Sequence, residues 1–252
     1  MITHLYKLSQ PIKSALIATI GSYDGVHVGH RTILHRMITI AKEQHLETAV
    51  ITFDPHPRLF IEGKNSNLKI LSTIEEKKHL LSEIGIDHLI ILKFDKELQQ
   101  LTADQFSKQI LTSYLGVRQL MVGYNNHIGS DKQLSMNFLK ENTNIKSIVI
   151  PKIDIDNDKI SSTLIREEIL SGEMAKAAVH LGNPYTFICH VNYDGSIETP
   201  NDNKLIPKDG TYIGKIDSLE TKITVHHNKL EITRLLPCSL DLNTLHLLEI
   251  CK

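Results

Sequence analysis

The sequence is poor in the features that mark secreted, metal-stapled or membrane-spanning proteins. Its three cysteines lie far apart with no Cys-x-x-Cys pair, which argues against a disulfide framework or a structural zinc site. No apolar run approaches the roughly 20 residues that a membrane span requires, and residues 1–13 contain no apolar core of a signal peptide. We therefore expect a cytoplasmic protein with free thiols.

The chain also lacks an excess of charge of either sign. Lys and Arg total 28 against 29 Asp and Glu, which gives a formal net charge of -1. No global field therefore draws the protein to nucleic acid or to an anionic membrane, and any basic site must be local. With 252 residues, 41% of them hydrophobic, the chain is long enough for one large domain or two modest ones.

Short apolar, β-branched runs alternate with helix-like segments over most of the chain. The runs cover residues 15–20, 48–53, 88–94, 119–123 and 147–151. This alternation predicts a parallel sheet with helical crossovers. Thr73 with Glu76 and Thr102 with Gln105 fit capping boxes, so we expect helices to begin there.

From about residue 186 the pattern changes to alternating apolar and polar residues with turn-rich breaks. This pattern is typical of antiparallel strands. Gly182 can end a helix, and Pro184 prevents its continuation. We therefore predict two domains, residues 1–185 and a small antiparallel β domain at 186–252.

The stretch ATIGSYDGVHVGHRTIL follows the first apolar run and carries Gly21, Gly25 and Gly29. A glycine-bearing turn between a strand and a helix is a phosphate-binding position, because free backbone N–H groups and the helix dipole favour negative charge. The sequence has neither Gly-x-Gly-x-x-Gly nor the Gly-Lys-Ser/Thr of a P-loop. Instead His27 and His30, one turn apart, can donate hydrogen bonds to a phosphate while Gly29 leaves room for it.

The histidine pair is open to two further interpretations. Its members could fall close together by chance among 14 histidines, or they could form half of a transition-metal site. A zinc site would need a third protein ligand with a supporting shell, and nothing in the sequence fixes the available His56 nearby.

Several motifs, in order, resemble one family. TIGSYDGVHVGHRTIL is similar to the nucleotidyltransferase signature of bacterial FAD synthetases, which are usually bifunctional riboflavin kinase/FMN adenylyltransferases. TFDPHPRLF, VGYNNHIGSDK, KISSTLIREEIL and LGNPY continue the resemblance over about residues 14–185. The resemblance implies a Rossmann-like nucleotidyltransferase sheet, and transfer of AMP from ATP to FMN to give FAD and pyrophosphate.

The resemblance also implies a set of site residues. Those that would contact the ATP phosphates and stabilise the transition state are His27, His30, Ser162, Thr163 and Arg166. Those that would shape the nucleotide side are Gly21, Asp24, Gly29 and Lys159. Those that would contact the flavin nucleotide are His56, Pro57 and Asn125.

The residue types suit these roles, although each also has a simpler structural use. Hydroxyls and helix N–H groups accept polyphosphate, and Arg166 can bind two oxygens at once. Ser161 and Ser162 could instead be N-caps, and an aspartate before glycine, as at Asp24, is also a turn former. The stiff Pro-His-Pro run around His56 could be only a rigid loop.

The chain departs from the family at three positions. Lys159 stands where relatives often carry arginine, Leu164 where another basic residue is usual, and Ile128 where an aromatic residue is usual. Lysine and arginine are not equivalent toward phosphate, and leucine has no charge. We therefore expect a weaker hold on pyrophosphate and a less certain flavin affinity.

Adenylyl transfer generally uses Mg²⁺, which bridges phosphate oxygens and keeps several waters. The sequence shows no dedicated carboxylate cluster for it. We expect the metal to be bound mainly through ATP, with no protein metal site. The expected partners are ATP and FMN, with no nucleic acid or membrane, and a homo-oligomer is left open.

The C-terminal region lacks the Gly-x-Pro-Thr-Ala-Asn motif and the catalytic glutamate of the family's riboflavin kinase barrel. Residues 186–252 also look too few for a complete barrel. We therefore predict a reduced barrel without riboflavin kinase activity. Two alternatives to the FMN adenylyltransferase remain: a nucleotidyltransferase with another phosphorylated acceptor, and a non-catalytic flavin- or nucleotide-binding paralogue.

Overall fold

A computed structural model describes residues 1–6, 12, 14–123, 130–131, 138–139, 143–150, 160–199, 201–232 and 245–251. The chain forms two compact units. The first contains Met1–Tyr23, His30–Asn67 and Lys78–Asp154, and the second contains Asp24–Gly29, Leu68–Lys77 and Ile155–Lys252. These units reflect packing, so the domain boundary at 185/186 stays a prediction.

The first unit contains a six-stranded parallel sheet. Its strands are β1 (Ile2–Leu5), β2 (Leu16–Ile20), β3 (Glu47–Asp54), β4 (His88–Lys93), β5 (Val117–Gly123) and β6 (Lys146–Ile150). They are ordered β1-β4-β3-β2-β5-β6, and every neighbouring pair is parallel. The predicted parallel sheet is therefore confirmed. Strand β1 was not predicted, because this short edge strand carries polar residues and no alternating pattern.

Helices connect these strands. They are α1 (Val28–Gln44), α2 (Pro57–Glu62), α3 (Ile74–Ile84), α4 (Lys96–Gln100) and α5 (Ala103–Gln105), which continues as a π-helical segment at Phe106–Tyr114.

Both predicted capping boxes are present. The amide of Thr102 donates to Gln105 Oε1 at 3.0 Å, and the amide of Gln105 donates to Thr102 Oγ1 at 3.2 Å. Thr73 and Glu76 make the equivalent pair at the start of α3, at 2.8 and 3.3 Å. Each box satisfies N–H groups that the first turn of a helix leaves without partners.

The second unit contains two helices and a closed antiparallel barrel. The helices are α6 (Ser162–Ser171) and α7 (Met174–Leu181). The strands are β7 (Tyr185–Val191), β8 (Ser196–Glu198), β9 (Gly210–Ile216), β10 (Leu219–His226), β11 (Lys229–Ile232) and β12 (His246–Ile250), joined in the order β10-β11-β8-β7-β12-β9. As predicted, α7 ends at Gly182, which has a left-handed φ of 76°.

The expectation that residues 186–252 are too few to complete a barrel is wrong. Strands β9 and β10 are joined by two residues, Asp217 and Ser218, with φ of 44° and 71°. His227 and Asn228, with φ of 49° and 61°, join β10 to β11 in the same way. Two-residue turns with both φ positive match the twist of antiparallel strands, so closure uses few residues.

Among the described residues, no helix combines the length and apolar character that a bilayer-spanning segment needs.

The barrel depends on a glycine where β9 meets β12. Gly214 is paired with Ile250, and a Cβ on Gly214 would collide with the Glu249 carbonyl oxygen and the Ile223 side chain. Glycine inside a strand is typical of such a close backbone approach.

We expect Gly214→Ala to lower the free energy of unfolding by about 3 kcal/mol, because the seam between β9 and β12 must open to admit a methyl group. The measurement is urea unfolding. The matched control is Gly210→Ala in the same strand, whose Cβ would make only an ordinary 3.4 Å contact with Tyr212. Equal stability of the two variants would contradict this account of barrel closure.

Candidate active site

The loop after β2 has an unusual backbone. Tyr23, Gly25 and Val26 have φ of 47°, 83° and 43°. For the β-branched and fully buried Val26, a left-handed φ is a strained conformation that persists only when the surroundings enforce it. Steric contacts require glycine at position 25, because a Cβ there would lie 2.9 Å from Leu71 Cδ1 and 3.1 Å from Leu181 Cδ2. The loop conformation is therefore set by its packing.

Asp24 is the polar centre of the loop and is only 2% exposed. Its Oδ1 accepts hydrogen bonds from the amides of Leu71 at 2.8 Å and Ser72 at 3.0 Å. The amide of Gly25 donates to Ser72 Oγ at 2.9 Å. Asp24 is therefore more than a turn former, since it attaches the loop to the segment before α3.

The N-terminal part of α6 meets the same aspartate. Arg166 Nη2 forms an ion pair with Asp24 Oδ2, and Arg166 Nε donates to the carbonyl of Lys69 at 2.7 Å. Ser162 Oγ donates to the carbonyl of Asp24 at 3.0 Å. The structure therefore brings Asp24, Ser162 and Arg166 together within the second unit.

The serines at the start of α6 have different tasks. Ser161 is the N-cap, because its Oγ accepts the amide of Leu164 at 3.3 Å. Ser162 is not the cap, since its hydroxyl binds the loop. Thr163 is exposed in the first turn, and Leu164 follows it with a half-buried side chain. The start of α6 therefore presents a hydroxyl and helix N–H groups, a combination that suits anions.

His27 is buried in the same unit, with 8% of its surface exposed. Burial lowers the pKa of its imidazole to about 4, and the Asp24 carboxylate opposes part of that shift. His27 is therefore neutral at pH 7 and offers a single N–H donor. A Cβ on Gly29 would lie 3.2 Å from Cε1 and 3.3 Å from Nδ1 of this ring, so glycine at 29 makes room for the imidazole itself.

His30 is a residue of α1 and belongs to the first unit. Its ring lies against that of Tyr23, with centroids 4.8 Å apart. Tyr23 Oη in turn shares a 2.7 Å hydrogen bond with Thr19 Oγ1, and burial raises the pKa of the Tyr23 hydroxyl. Sequence reasoning missed Tyr23, although an aromatic residue next to Asp24 in the motif was an available signal.

The remaining predicted residues are placed as follows. His56 caps α2, because its Nδ1 accepts the amide of Arg58 at 3.2 Å, so the neutral ring carries its proton on Nε2. Pro57 is the first residue of α2.

The amide of Gly21 donates to the carbonyl of Ile51 at 3.1 Å, and a Cβ on Gly21 would meet only the Tyr23 ring at an ordinary 3.4 Å. Asn125, Ile128 and Lys159 lie outside the described residues.

A cavity of about 630 Å³ lies in the first unit, at the carboxyl ends of β1, β3 and β4. Apolar side chains, with Tyr6, Leu98 and Leu101 among them, line part of it, and its charged lining residues are one lysine and three carboxylates: Lys93, Asp54, Asp95 and Glu97. Asp54 and Pro55, which also line it, directly precede His56. The carboxyl ends of parallel strands are the usual ligand-binding edge of an α/β sheet.

In the described part of the chain, no group of three His, Cys, Asp or Glu side chains is arranged to hold a metal ion. The carboxylate in the loop, Asp24, is already occupied by two amides and a guanidinium. Among the described residues, therefore, no such group extends the histidine pair into a three-ligand metal site.

Taken together, the parallel sheet and the His-x-Gly-His turn at its first crossover helix define a nucleotidyltransferase. Residues 9–164 match the family model described as FAD synthetase. The chain belongs to the FAD synthetase family.

Curated relatives agree with this assignment. A bifunctional riboflavin kinase/FMN adenylyltransferase of Listeria monocytogenes is 31% identical over 211 residues, covering 79% of this chain and 67% of that protein. One from Buchnera aphidicola is 33% identical over 190 residues, covering 74% of this chain and 61% of the relative. An FAD synthetase of Listeria monocytogenes is 31% identical over 214 residues, covering 84% and 85% of the two chains. The chain thus spans about two thirds or less of the length of these bifunctional relatives.

A solved structure, described as a macrolide-efflux protein from Streptococcus pneumoniae, superposes with a TM-score of 0.81 at 22% identity. The superposition covers 100% of this chain and 98% of that one. At this identity the likeness shows the fold alone.

The low pKa of His27 predicts a pH-dependent stability. The unfolded chain takes up a proton near the ordinary histidine pKa of 6.5, whereas the folded protein does so only near 4, so stability is lost as the pH falls from 6.5 to 4. We expect His27 to account for about 2 kcal/mol of the stability lost between pH 7 and 5. Urea unfolding should show this loss in the wild type and its absence in His27→Gln.

The control for this measurement is His35→Gln, an exposed histidine of α1, the helix that begins directly after His27. Its pH profile should follow the wild type. If His27→Gln also follows the wild type, His27 is not held neutral by burial.

Proposed function

We propose that the protein transfers the adenylyl group of ATP to FMN, giving FAD and pyrophosphate. A phosphate oxygen of FMN attacks the α-phosphorus of ATP. The bond from that phosphorus to the bridging oxygen of the β-phosphate breaks, and its electron pair leaves with pyrophosphate. The observation that carries the proposal is the meeting of the His27 loop and the start of α6 at Asp24.

This arrangement suits a triphosphate for electrostatic reasons. No covalent nucleophile is needed, so the protein must hold the phosphorus in line and stabilise the charge that develops on pyrophosphate. We assign the backbone N–H groups in the first turn of α6, that of Ser162 included, and the Thr163 hydroxyl to phosphate oxygens, together with the neutral N–H donor of His27. His30 remains a phosphate contact implied by the family resemblance.

Arg166 has a defined part in this proposal. Its guanidinium has five N–H groups, and the contacts described above use only the Nε and Nη2 atoms. We assign its remaining donors to phosphate oxygens. Because Asp24 and the Lys69 carbonyl already fix its orientation, little side-chain entropy remains to be lost on binding.

Mg²⁺ enters the proposal only with the nucleotide. When bound to ATP, it would neutralise phosphate charge. The described residues supply no dedicated cluster for it, so we derive no catalytic step through the metal. Lys159, where relatives often have arginine, is kept as a nucleotide-side residue of the proposal.

On the acceptor side we assign the flavin ring to the 630 Å³ cavity beside Asp54 and Pro55. The apolar part of its lining suits a planar tricyclic ring, and its volume is in the range of small-molecule sites. His56, with its proton on Nε2, would then donate a hydrogen bond to FMN. Asn125 and Pro57 remain flavin contacts implied by the family resemblance.

The proposal is of a monofunctional enzyme without riboflavin kinase activity. The relative named FAD synthetase supports it, because this chain covers 85% of that protein. The kinase motifs of the family are also missing from the C-terminal sequence. We further propose a cytoplasmic setting and no nucleic acid partner. Whether the chain forms a homo-oligomer is left to a measurement of mass in solution.

A non-catalytic binding paralogue is the main alternative, since Leu164 removes a charge that relatives usually carry. A nucleotidyltransferase with another phosphorylated acceptor is the second. Both are distinguished from the proposal by the products formed from ATP and FMN.

We expect the purified protein to convert FMN and ATP, with Mg²⁺, to FAD and pyrophosphate in equal amounts, as measured by chromatography. His30→Ala should lower kcat by about 100-fold or more, because it removes a donor to the charge of the transition state. The matched control on the same helix is His35→Gln, which should keep the wild-type rate. Tight binding of FMN and ATP without any product would instead support the binding paralogue.

The same preparation should form no FMN when riboflavin replaces FMN in the assay. Formation of FMN from riboflavin and ATP would overturn the monofunctional part of the proposal and leave the adenylyl-transfer part standing.

A further inference from the structure

Lys204 is a charged side chain with no exposed surface, in the segment between β8 and β9. Its Nζ donates to Glu76 Oε2 at 2.6 Å and to the carbonyls of Leu71 and Thr186, both at 2.7 Å. These three acceptors match the three N–H groups of an ammonium. All four residues belong to the second unit.

Two aromatic rings also lie against the ammonium group of Lys204. Nζ lies 4.3 Å from the ring centroid of Tyr185 and 4.5 Å from that of Phe187. Burial lowers the pKa of Lys204, whereas the Glu76 carboxylate favours the charged form. Water is replaced on every side by protein groups, so the ammonium has a fixed position.

Stability alone is a weak explanation for such a pair. Removing two charges from water costs free energy that their attraction often fails to repay, and apolar residues of similar volume frequently stabilise a protein as well or better. The contacts that Lys204 organises are therefore the informative feature.

Those contacts run to the Asp24 loop. Lys204 holds the carbonyl of Leu71, and the amides of Leu71 and Ser72 donate to Asp24 Oδ1. Asp24 in turn binds Arg166 and Ser162. A single residue, Leu71, thus lies between the buried ammonium and the carboxylate at the centre of the candidate site.

Glu76 connects the segment that contains Leu71 and Ser72 to strand β7 of the barrel. Its Oε1 accepts the amide of Ile188 in β7 at 3.1 Å, and its Oε2 accepts the amide of Thr73 at 2.8 Å. The backbone adds a bridge between Ile70 and Lys204, flanked by hydrogen bonds of 2.8 and 2.9 Å. The segment from 70 to 76 is therefore fixed by groups on and next to the barrel.

We propose that Lys204 is a positioning residue for adenylyl transfer: with Glu76 it fixes Leu71 and Ser72, which orient Asp24 and, through it, Arg166 and the His27 loop. The barrel thereby contributes to the nucleotide site without carrying kinase chemistry. The kinetic consequence rests on the proposed function, whereas the positioning of Leu71 and Ser72 does not.

The test uses the full chain with Lys204→Met/Glu76→Gln. This pair of changes removes both charges, so neither is left buried alone, and it keeps the side-chain lengths. Lys204→Met by itself would strand the Glu76 carboxylate and is less informative. Lys208→Met, an exposed lysine of the same segment, is the matched control.

Two readouts are measured on variants whose circular dichroism matches the wild type. Amide hydrogen exchange at Leu71 and Ser72 should quicken by about tenfold or more in the double variant. The KM for ATP should rise about tenfold while the KM for FMN stays within twofold, because the changed geometry is on the phosphate side. A merely structural lesion would lower the active fraction, and so kcat, without this division between the two substrates. Lys208→Met should match the wild type in both.

Unchanged exchange at Leu71 and Ser72 overturns the proposal, as does quickened exchange with an unchanged KM for ATP. If the wild type makes no FAD, the proposed function fails. The exchange measurement, together with a direct ATP dissociation constant, then decides the positioning role alone.

Discussion

The buried carboxylate of Asp24 is the constraint on which the candidate site depends. A carboxylate out of contact with water must be satisfied by N–H donors and an opposite charge, and Asp24 has two amides and a guanidinium. These partners come from the segment before α3 and from α6, both in the second unit. The hydrogen bonds and ion pair of this one carboxylate therefore hold together the Asp24 loop, the segment before α3 and helix α6. Removal of either charge would strand the other, so the arrangement is held cooperatively.

This constraint shapes how the site would meet a triphosphate. Arg166 is oriented by protein groups, which reduces the ordering that binding must supply. The same ion pair also means that phosphate oxygens must share the guanidinium with Asp24. With leucine at 164, the proposed phosphate grip has one charge fewer than is usual in the family. Its strength then depends more on Arg166, on helix N–H groups and on the Thr163 hydroxyl at the start of α6.

The parts of this structure that could be predicted from sequence are those with local causes. The parallel strands follow from apolar runs, the helix starts from capping residues, and the end of α7 from Gly182. The glycine and histidine pattern of the loop also predicts a phosphate-binding position by its place after a strand. These features need only neighbouring residues to be understood.

The parts that could not be predicted depend on partners far apart in the chain. The pairing of Lys204 with Glu76 joins residues separated by 128 positions, and an isolated lysine in a turn-rich segment is normally a solvated one. Gly29 was expected to leave space for a phosphate, whereas its near neighbour is the ring of His27. Barrel closure was not predicted, because the length of residues 186–252 was judged without allowing for the two-residue turns that join β9 to β10 and β10 to β11.

The retention of a complete barrel without recognisable kinase motifs is consistent with a positioning role. A barrel needed only for packing would be served by an apolar contact on Leu71, since burying an ammonium brings no net stability that methionine could not match. A fixed charge does what methionine cannot: it directs a carbonyl and a carboxylate to defined points. Direction of this kind matters where oxygen and nitrogen atoms must meet phosphate groups within a fraction of an ångström. On this argument the lysine, more than the barrel's size or closure, explains why an adenylyltransferase of this family would keep its second β domain.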